Sequence, residues 1–235
     1  MKNFLKKALH PVPEPEKFDT GLRYTDILFG FVIRELFLRL QNWANLDHAV
    51  QLHLVVGFTL VLGSWIGFRR SLYRPLYQLK FFNLPLIRFL LDQLMLILYF
   101  RIAVLTPAPD GETVLISGPQ AASNLARDTN RLVLYVFVLY ALWDLFGIWM
   151  TRTKGDDGKP RYPVVDAKEG KKTENQQAIN WWGIGITAGC LLFSGVLWLF
   201  AGCLNPSQLF LSTIVLLLAY RWFKEIRTSC LPQQT

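Results

Sequence analysis

The sequence predicts an all-α polytopic integral membrane protein of six transmembrane helices, with its N- and C-termini in the cytoplasm. Three observations carry that reading. Hydrophobic residues make up 52% of the 235-residue chain and mean hydropathy is +0.27, too apolar for a soluble domain of this size. The apolar residues are gathered into six long runs, each close to the roughly 20 residues that a bilayer-crossing helix needs. The basic residues between the runs rise and fall from one connector to the next, as the positive-inside rule requires.

The first run, residues 24–43 (YTDILFGFVIRELFLRLQNW), is long enough to span but carries Asp26, Arg34, Glu35 and Arg39. Ionised groups in hydrocarbon cost at least a few kcal/mol each, so part of this helix needs polar company. On a helical wheel Phe29, Val32, Ile33, Leu36 and Leu40 form one apolar stripe. Asp26, Gly30, Arg34 and Gln41 lie to one side of it, and Glu35, Arg39 and Asn42 further round. Glu35 and Arg39 stand i,i+4 in the favourable order and are expected to pair within the helix. Arg34, near the midplane, has no such partner and needs one from another helix.

The second run, 48–68, closes on Trp65 and then Arg69 and Arg70, an aromatic and basic interface anchor. Its Gly63 and Gly67 form a small-xxx-small pair suited to close helix contact. The connector that follows is aromatic and basic and is expected along the headgroups. The third run, 85–105, starts on Pro85, favoured in a first turn, and holds Arg88, Asp92, Gln93 and Arg101. Turn chemistry at 106–111 (TPAPDG) stops it, and a connector of modest polarity leads to the fourth run, 132–150, whose one charge is Asp144.

Residues 151–177 form a basic loop rich in Lys, Asp and Gly and poor in large apolar residues, hence flexible. The fifth and sixth runs, 180–204 and 209–223, make a hairpin around Asn205-Pro206-Ser207-Gln208. It has no ionisable residue before Arg221 and is expected to serve as scaffold or lipid-facing wall. The chain therefore divides into a cytoplasmic tail (1–23), four helices (24–150), the cytoplasmic loop (151–177), a transmembrane hairpin (178–224) and a cytoplasmic tail (225–235).

Outside the runs, Lys and Arg number five, none, four, two, seven, none and three from the first segment to the last. That alternation requires residues 24–43 to cross the membrane; were they only to lie on its surface, the basic second connector would face outward.

The net charge of +8 sits in these connectors, where membrane topology accounts for it, so no nucleic-acid partner is expected. Cys190, Cys203 and Cys230 have neither CxxC spacing nor a disulfide framework and are expected to be buried small hydrophobes. The N-terminus lacks the apolar core of a cleavable signal peptide. Its first ten residues read either as a disordered tail or as a basic amphipathic turn with Phe4, Leu5 and Leu9 against lipid. His10, His48 and His53 are scattered and no HExxH, GxSxG or P-loop occurs, so no catalytic residue, metal site or cofactor is expected.

With the third span rising from the cytoplasmic face and the fourth descending to it, Asp92 and Asp144 fall about 10 Å deep at ~1.5 Å per residue. There they are expected to answer Arg34. The intramembrane charges are balanced: Arg34, Arg39, Arg88 and Arg101 against Asp26, Glu35, Asp92 and Asp144. One reading makes these residues a polar seam along the first, third and fourth helices. The protein is then an ion channel or ion-coupled permeation protein, a homo-oligomer in the cell (inner) membrane. The other makes them packing ion pairs in a structural or signalling membrane subunit, whose loop 151–177 binds a cytoplasmic partner or anionic lipid.

Tyr24-Thr25-Asp26-Ile27-Leu28-Phe29-Gly30-Phe31-Val32 resembles a known signature: aromatic-Ser-Asp, an aliphatic residue, Phe and a small residue. It is similar to the start of the pore helix in the endolysosomal and bacterial six-helix potassium channels. The resemblance covers nine residues. It implies cytoplasmic termini, an oligomer around the first helix, Asp26 as the motif acid and Phe31 at an apolar pore constriction. Where that family has an arginine six residues before its acid, this chain has Thr20, and Arg23 is the nearest basic residue.

Overall fold

The structure is a computed structural model that describes residues 16–41, 43–70, 84–106, 118–152 and 181–230. The described residues form six α-helices: α1 (Glu16–Leu40), α2 (His48–Arg70), α3 (Leu84–Ala103), α4 (Pro119–Arg152), α5 (Trp181–Leu199) and α6 (Pro206–Cys230). A short 3-10 turn, Trp43–Asn45, joins α1 to α2. The protein is all-α, and each helix overlaps one apolar run. Three helices are long and apolar enough to cross a membrane: α2 over His48–Phe68, α4 over Pro119–Trp149, and α5. The expected lipid-surface turn at residues 1–10, the connector 71–83 and the loop from 153 onward lie outside the described residues.

Local chemistry sets the ends. Asn205 precedes α6, Pro206 occupies its first position, and the Gln208 side-chain oxygen accepts the Asn205 N–H at 3.4 Å, half of a capping box. The largest departure from the sequence reading is α4, which starts at Pro119 and not near 132. Gly118 turns into it with φ +116°, a conformation that glycine adopts at little cost, and its carbonyl accepts the Ala122 N–H. Residues 119–131 are amphipathic: Leu125, Ala126, Thr129 and Asn130 are buried, while Arg127 and Arg131 are exposed. Their modest mean hydropathy hides a helix that a search for apolar runs passes over. At 34 residues α4 is about 50 Å long, well beyond the ~30 Å of a hydrocarbon core.

Successive helices run antiparallel. Leu36 late in α1 meets Gly57 early in α2, while Asp26 meets Trp65 near the far end of α2. His53 meets Ile102 late in α3 and Thr129 early in α4. The centre of the bundle is shared by α2, which lies against α1, α3, α4 and α6, and α4, which lies against α2, α3, α5 and α6. Leu54, Val56, Val61, Ile102, Val133, Val136 and Phe137 fill it completely.

α1 sits at the edge, on α2 and α3. Its apolar stripe faces inward as the wheel predicts: Phe29, Val32 and Leu36 are buried, with Ile33 and Leu40 packed at the margin. Gly57 lets Leu36 approach so closely that a Cβ there would stand 3.0 Å from a Leu36 methyl. Every helix also turns large apolar side chains outward, among them Ile27 and Phe31, Leu62, Leu90 and Ile97, Leu145, Leu192 and Leu199, and Leu211 and Val215. Apolar surface on all sides suits lipid or another protein, not water. Cys190 is half-buried and Cys203 exposed, against the expectation of burial, because Cys203 falls on the α5–α6 turn.

Leu36→Ala is expected to lower stability in detergent by about 2 kcal/mol, the low end for such truncations. Micelle or lipid already solvates the exposed chain, and the cavity is what remains. Ile27→Ala, on the outward face, is expected to change it by less than about 0.5 kcal/mol. Reversible unfolding of the two variants compares them.

Candidate functional site

α3 ends at Ala103, and the last carbonyls of a helix have no donor within it. The turn that follows supplies two, Val104 N–H to the Phe100 carbonyl and Leu105 N–H to that of Ile102, and neighbouring helices donate to Ile102 and to Thr106 just beyond the helix. Arg39 of α1 donates from Nε to the Thr106 carbonyl at 2.7 Å, and His53 of α2 donates from Nε2 to the Ile102 carbonyl at 3.0 Å. A carbonyl only accepts, so Nε2 carries a ring hydrogen, while Nδ1 lies 2.8 Å from the Thr129 hydroxyl, whose single hydrogen also faces the Leu125 carbonyl at 2.7 Å. His53 is fully buried and joins α2, α3 and α4. Arg39 reaches back through Nη1 to the Glu35 carboxylate at 2.9 Å, the i,i+4 pair the spacing predicts. With only 7% of its side chain exposed, Arg39 anchors α1 on the end of α3.

A second set lies at the opposite end, around Asp144 of α4. Its Oδ2 accepts the Thr187 hydroxyl of α5 at 2.7 Å and the Lys224 ammonium of α6 at 3.1 Å. The α5–α6 hairpin, expected as scaffold or lipid-facing wall, thus supplies the partners of the one charge in the fourth run. Further along, Arg88 of α3 is buried with its guanidinium 3.7 Å over the Trp143 ring, and Asp92 is buried one turn on. Asp26 of α1 accepts the Trp65 indole N–H at 3.0 Å.

The eight charged residues therefore do not converge. Arg101 is exposed on α3. Arg34 points away from the bundle with 65% of its side chain exposed, and its ion pair is with its neighbour Glu35 at 3.5 Å, not with Asp92 or Asp144. It lies opposite the buried stripe of α1, and Asp144 is engaged by α5 and α6. Phe31 shares that outward face, 56% exposed, beside Gly30, where nothing stands within 4 Å of a would-be Cβ. A shallow apolar groove of about 500 Å³, lined by Leu40, Trp43, Val55, Phe58, Thr59 and Leu62, runs alongside.

Between the two ends is a cluster that the sequence does not advertise. The Tyr140 hydroxyl is hydrogen-bonded to Ser64 and, at 2.9 Å, to the Tyr99 hydroxyl, joining α2, α3 and α4. The Tyr140 ring stacks on Tyr220 of α6 at 5.3 Å. Arg221 lies against Gly63 and Gly67, so that this glycine pair receives a guanidinium from α6. Isolated Ser and Tyr residues in apolar runs carry no spacing signal, and only the fold brings them together. Leu60, Val61, Val133 and Val136, all buried, separate this cluster from the His53 layer.

No family model, curated protein or solved structure matches the chain. The resemblance to six-helix potassium channels thus stands on residues 24–32 alone, and what the site does chemically follows from its own geometry. Asp26, Arg39, Arg88 and Asp144 act as ties between helices; Arg34 does not.

A double-mutant cycle measures the strongest tie. Asp144→Asn and Lys224→Met are each expected to destabilise the protein, and the double variant by less than their sum, with a coupling of about 0.5–3 kcal/mol. Strict additivity of the two in thermal or denaturant unfolding would show that the ion pair contributes nothing.

Proposed function

We propose that the chain is a multipass membrane protein of six spans with cytoplasmic termini. In this reading it assembles with copies of itself through the outward face of α1 and lets ions pass along that face. The observation that carries the reading is Arg34. Along a span of residues 24–43 it falls near mid-depth, on the outside of the bundle. A guanidinium there costs a few kcal/mol against lipid, a cost removed by water or by a protein partner. Gly30 and Gln41, exposed on the same side, add to a face unsuited to hydrocarbon.

Several features support six spans. Successive helices alternate in direction, and α3 and α6 present apolar side chains outward like their neighbours. Trp149, Trp181, Trp182 and Trp222 stand exposed where α4 ends, α5 begins and α6 nears its end, as in an interfacial aromatic belt. The connector charges put that end in the cytoplasm, and the cell (inner) membrane is the bilayer proposed.

The satisfied pairs Glu35–Arg39 and Asp144–Lys224 favour a second reading, a structural or signalling subunit. There the α1 face docks a partner helix, and loop 151–177 takes a cytoplasmic protein or anionic lipid.

Reconstitution into vesicles with flux measured for K⁺, Na⁺, H⁺ and Cl⁻ separates the two. Permeation is expected to be at least tenfold above empty vesicles, a difference of ~1.4 kcal/mol in effective barrier, and to change in rate or selectivity with Arg34→Gln. A folded oligomer that passes none of the four ions would rule out permeation and leave the subunit reading.

A further inference from the structure

Two cations on α6 turn into the bundle, and they differ in one respect. Lys224 is matched by Asp144 at 3.1 Å. Arg221 has no carboxylate partner among the described residues; its one hydrogen bond there runs from Nη2 to the Tyr140 hydroxyl at 3.4 Å, a long contact. Its guanidinium centre stands 5.5 Å from the Tyr220 ring and 5.9 Å from the Tyr140 ring, which orients it without neutralising it.

The notch that holds Arg221 is built into α2. A Cβ at Gly63 would lie 3.1 Å from Arg221 Nε, and one at Gly67 would overlap Nη1. Two glycines one turn apart therefore admit a planar fork against the helix backbone, where any larger residue would displace it. Arg221 is rooted beside Tyr140, but its fork is half-buried and reaches outward to Gly67, at the end of the α2 span, and Trp222 and Phe223 beside it are exposed like residues of an interfacial belt. At that level the abundant anions are phosphates.

We infer that Arg221, seated in the Gly63–Gly67 notch, is a binding site for a phosphate-bearing anion at the membrane interface. The guanidinium has five donors in a fixed fork and uses one weakly, leaving paired N–H groups for two phosphate oxygens. The notch fixes the plane of the fork before the ligand arrives, which reduces the ordering cost of binding. Lys224 cannot take this part, since its charge is already met by Asp144. The site is independent of whether the protein passes ions.

The full chain, purified in an uncharged detergent, is titrated with dioctanoyl phosphatidic acid, dioctanoyl phosphatidylcholine and inorganic phosphate, with thermal unfolding as the readout. Phosphatidic acid is expected to raise the midpoint saturably. Arg221→Gln is expected to weaken its apparent affinity about tenfold or more, the usual worth of a charge-assisted hydrogen bond. Gly67→Ala displaces only the far end of the flexible arginine, so it is expected to keep the fold and lose affinity to a similar degree. Arg221→Lys, which keeps the charge but loses the fork, falls between, and Arg101→Gln on the outer face of α3 binds as the unaltered chain does. Inorganic phosphate acting alone, with the same dependence on Arg221, would support the site and assign it to a free anion. Equal responses from Arg221→Gln, Gly67→Ala and the unaltered chain would overturn it, as would equal shifts by the phosphatidic acid and phosphatidylcholine that do not depend on Arg221.

Discussion

A polar group inside an apolar bundle in lipid has no water to fall back on, and the arrangement of these helices follows from that constraint. The end of α3 shows it most directly. Its last carbonyls lie beside the first turns of α2 and α4 and the last turn of α1, where a bare acceptor costs several kcal/mol. His53 donates to the Ile102 carbonyl, beside Leu105 N–H, and Arg39 to the Thr106 carbonyl just past the helix, and in doing so they fix α2 and α1 against the end of α3. Asp144 repeats the pattern at the other end, holding α5 through Thr187 and α6 through Lys224. Because α2 and α4 carry His53, Ser64, Thr129, Tyr140 and Asp144, the two central helices are also the two with most of the ties.

The same constraint gives α1 two unlike faces. Its inner stripe packs by shape, with Leu36 set against Gly57. Its outer face carries a charge that the bundle leaves unburied, Arg34, whose contact is the adjacent Glu35. Glu35 itself is turned toward Arg39 at 2.9 Å, so the carboxylate that neutralises this stretch of helix serves the inner arginine first. An edge helix with such a face is unfinished as a lipid-facing element, and this is the ground on which assembly with further copies is proposed.

How far the sequence could be read depended on whether a feature was local. Glu35–Arg39 was legible because a helix places i and i+4 side by side, and the inward stripe of α1 because burial follows its period. The start of α6 was legible through the Asn205–Gln208 turn. The partners of Asp144 were not: Thr187 and Lys224 lie 43 and 80 residues away, on a hairpin whose composition looks inert. The first turns of α4 escaped because amphipathic helix and polar connector have similar average hydropathy. The Gly63–Gly67 pair was legible as a place of close approach, but not that an arginine side chain, rather than a helix backbone, fills it.

The central claim is that polar ties such as Arg39, His53 and Asp144 hold the bundle together from within, while the α1 outer face is left for another protein or for water. Spin labels placed singly at 27, 30, 31 and 37 on α1, and at 192 and 199 on α5, report it in lipid bilayers. Collision with oxygen reads lipid exposure, and collision with a water-soluble nickel chelate reads water. The α5 positions should show the high oxygen and low nickel accessibility of a lipid-facing helix. The α1 positions should show low oxygen accessibility, with nickel accessibility raised wherever water reaches the face. An oxygen profile on α1 equal to that on α5 would contradict the account.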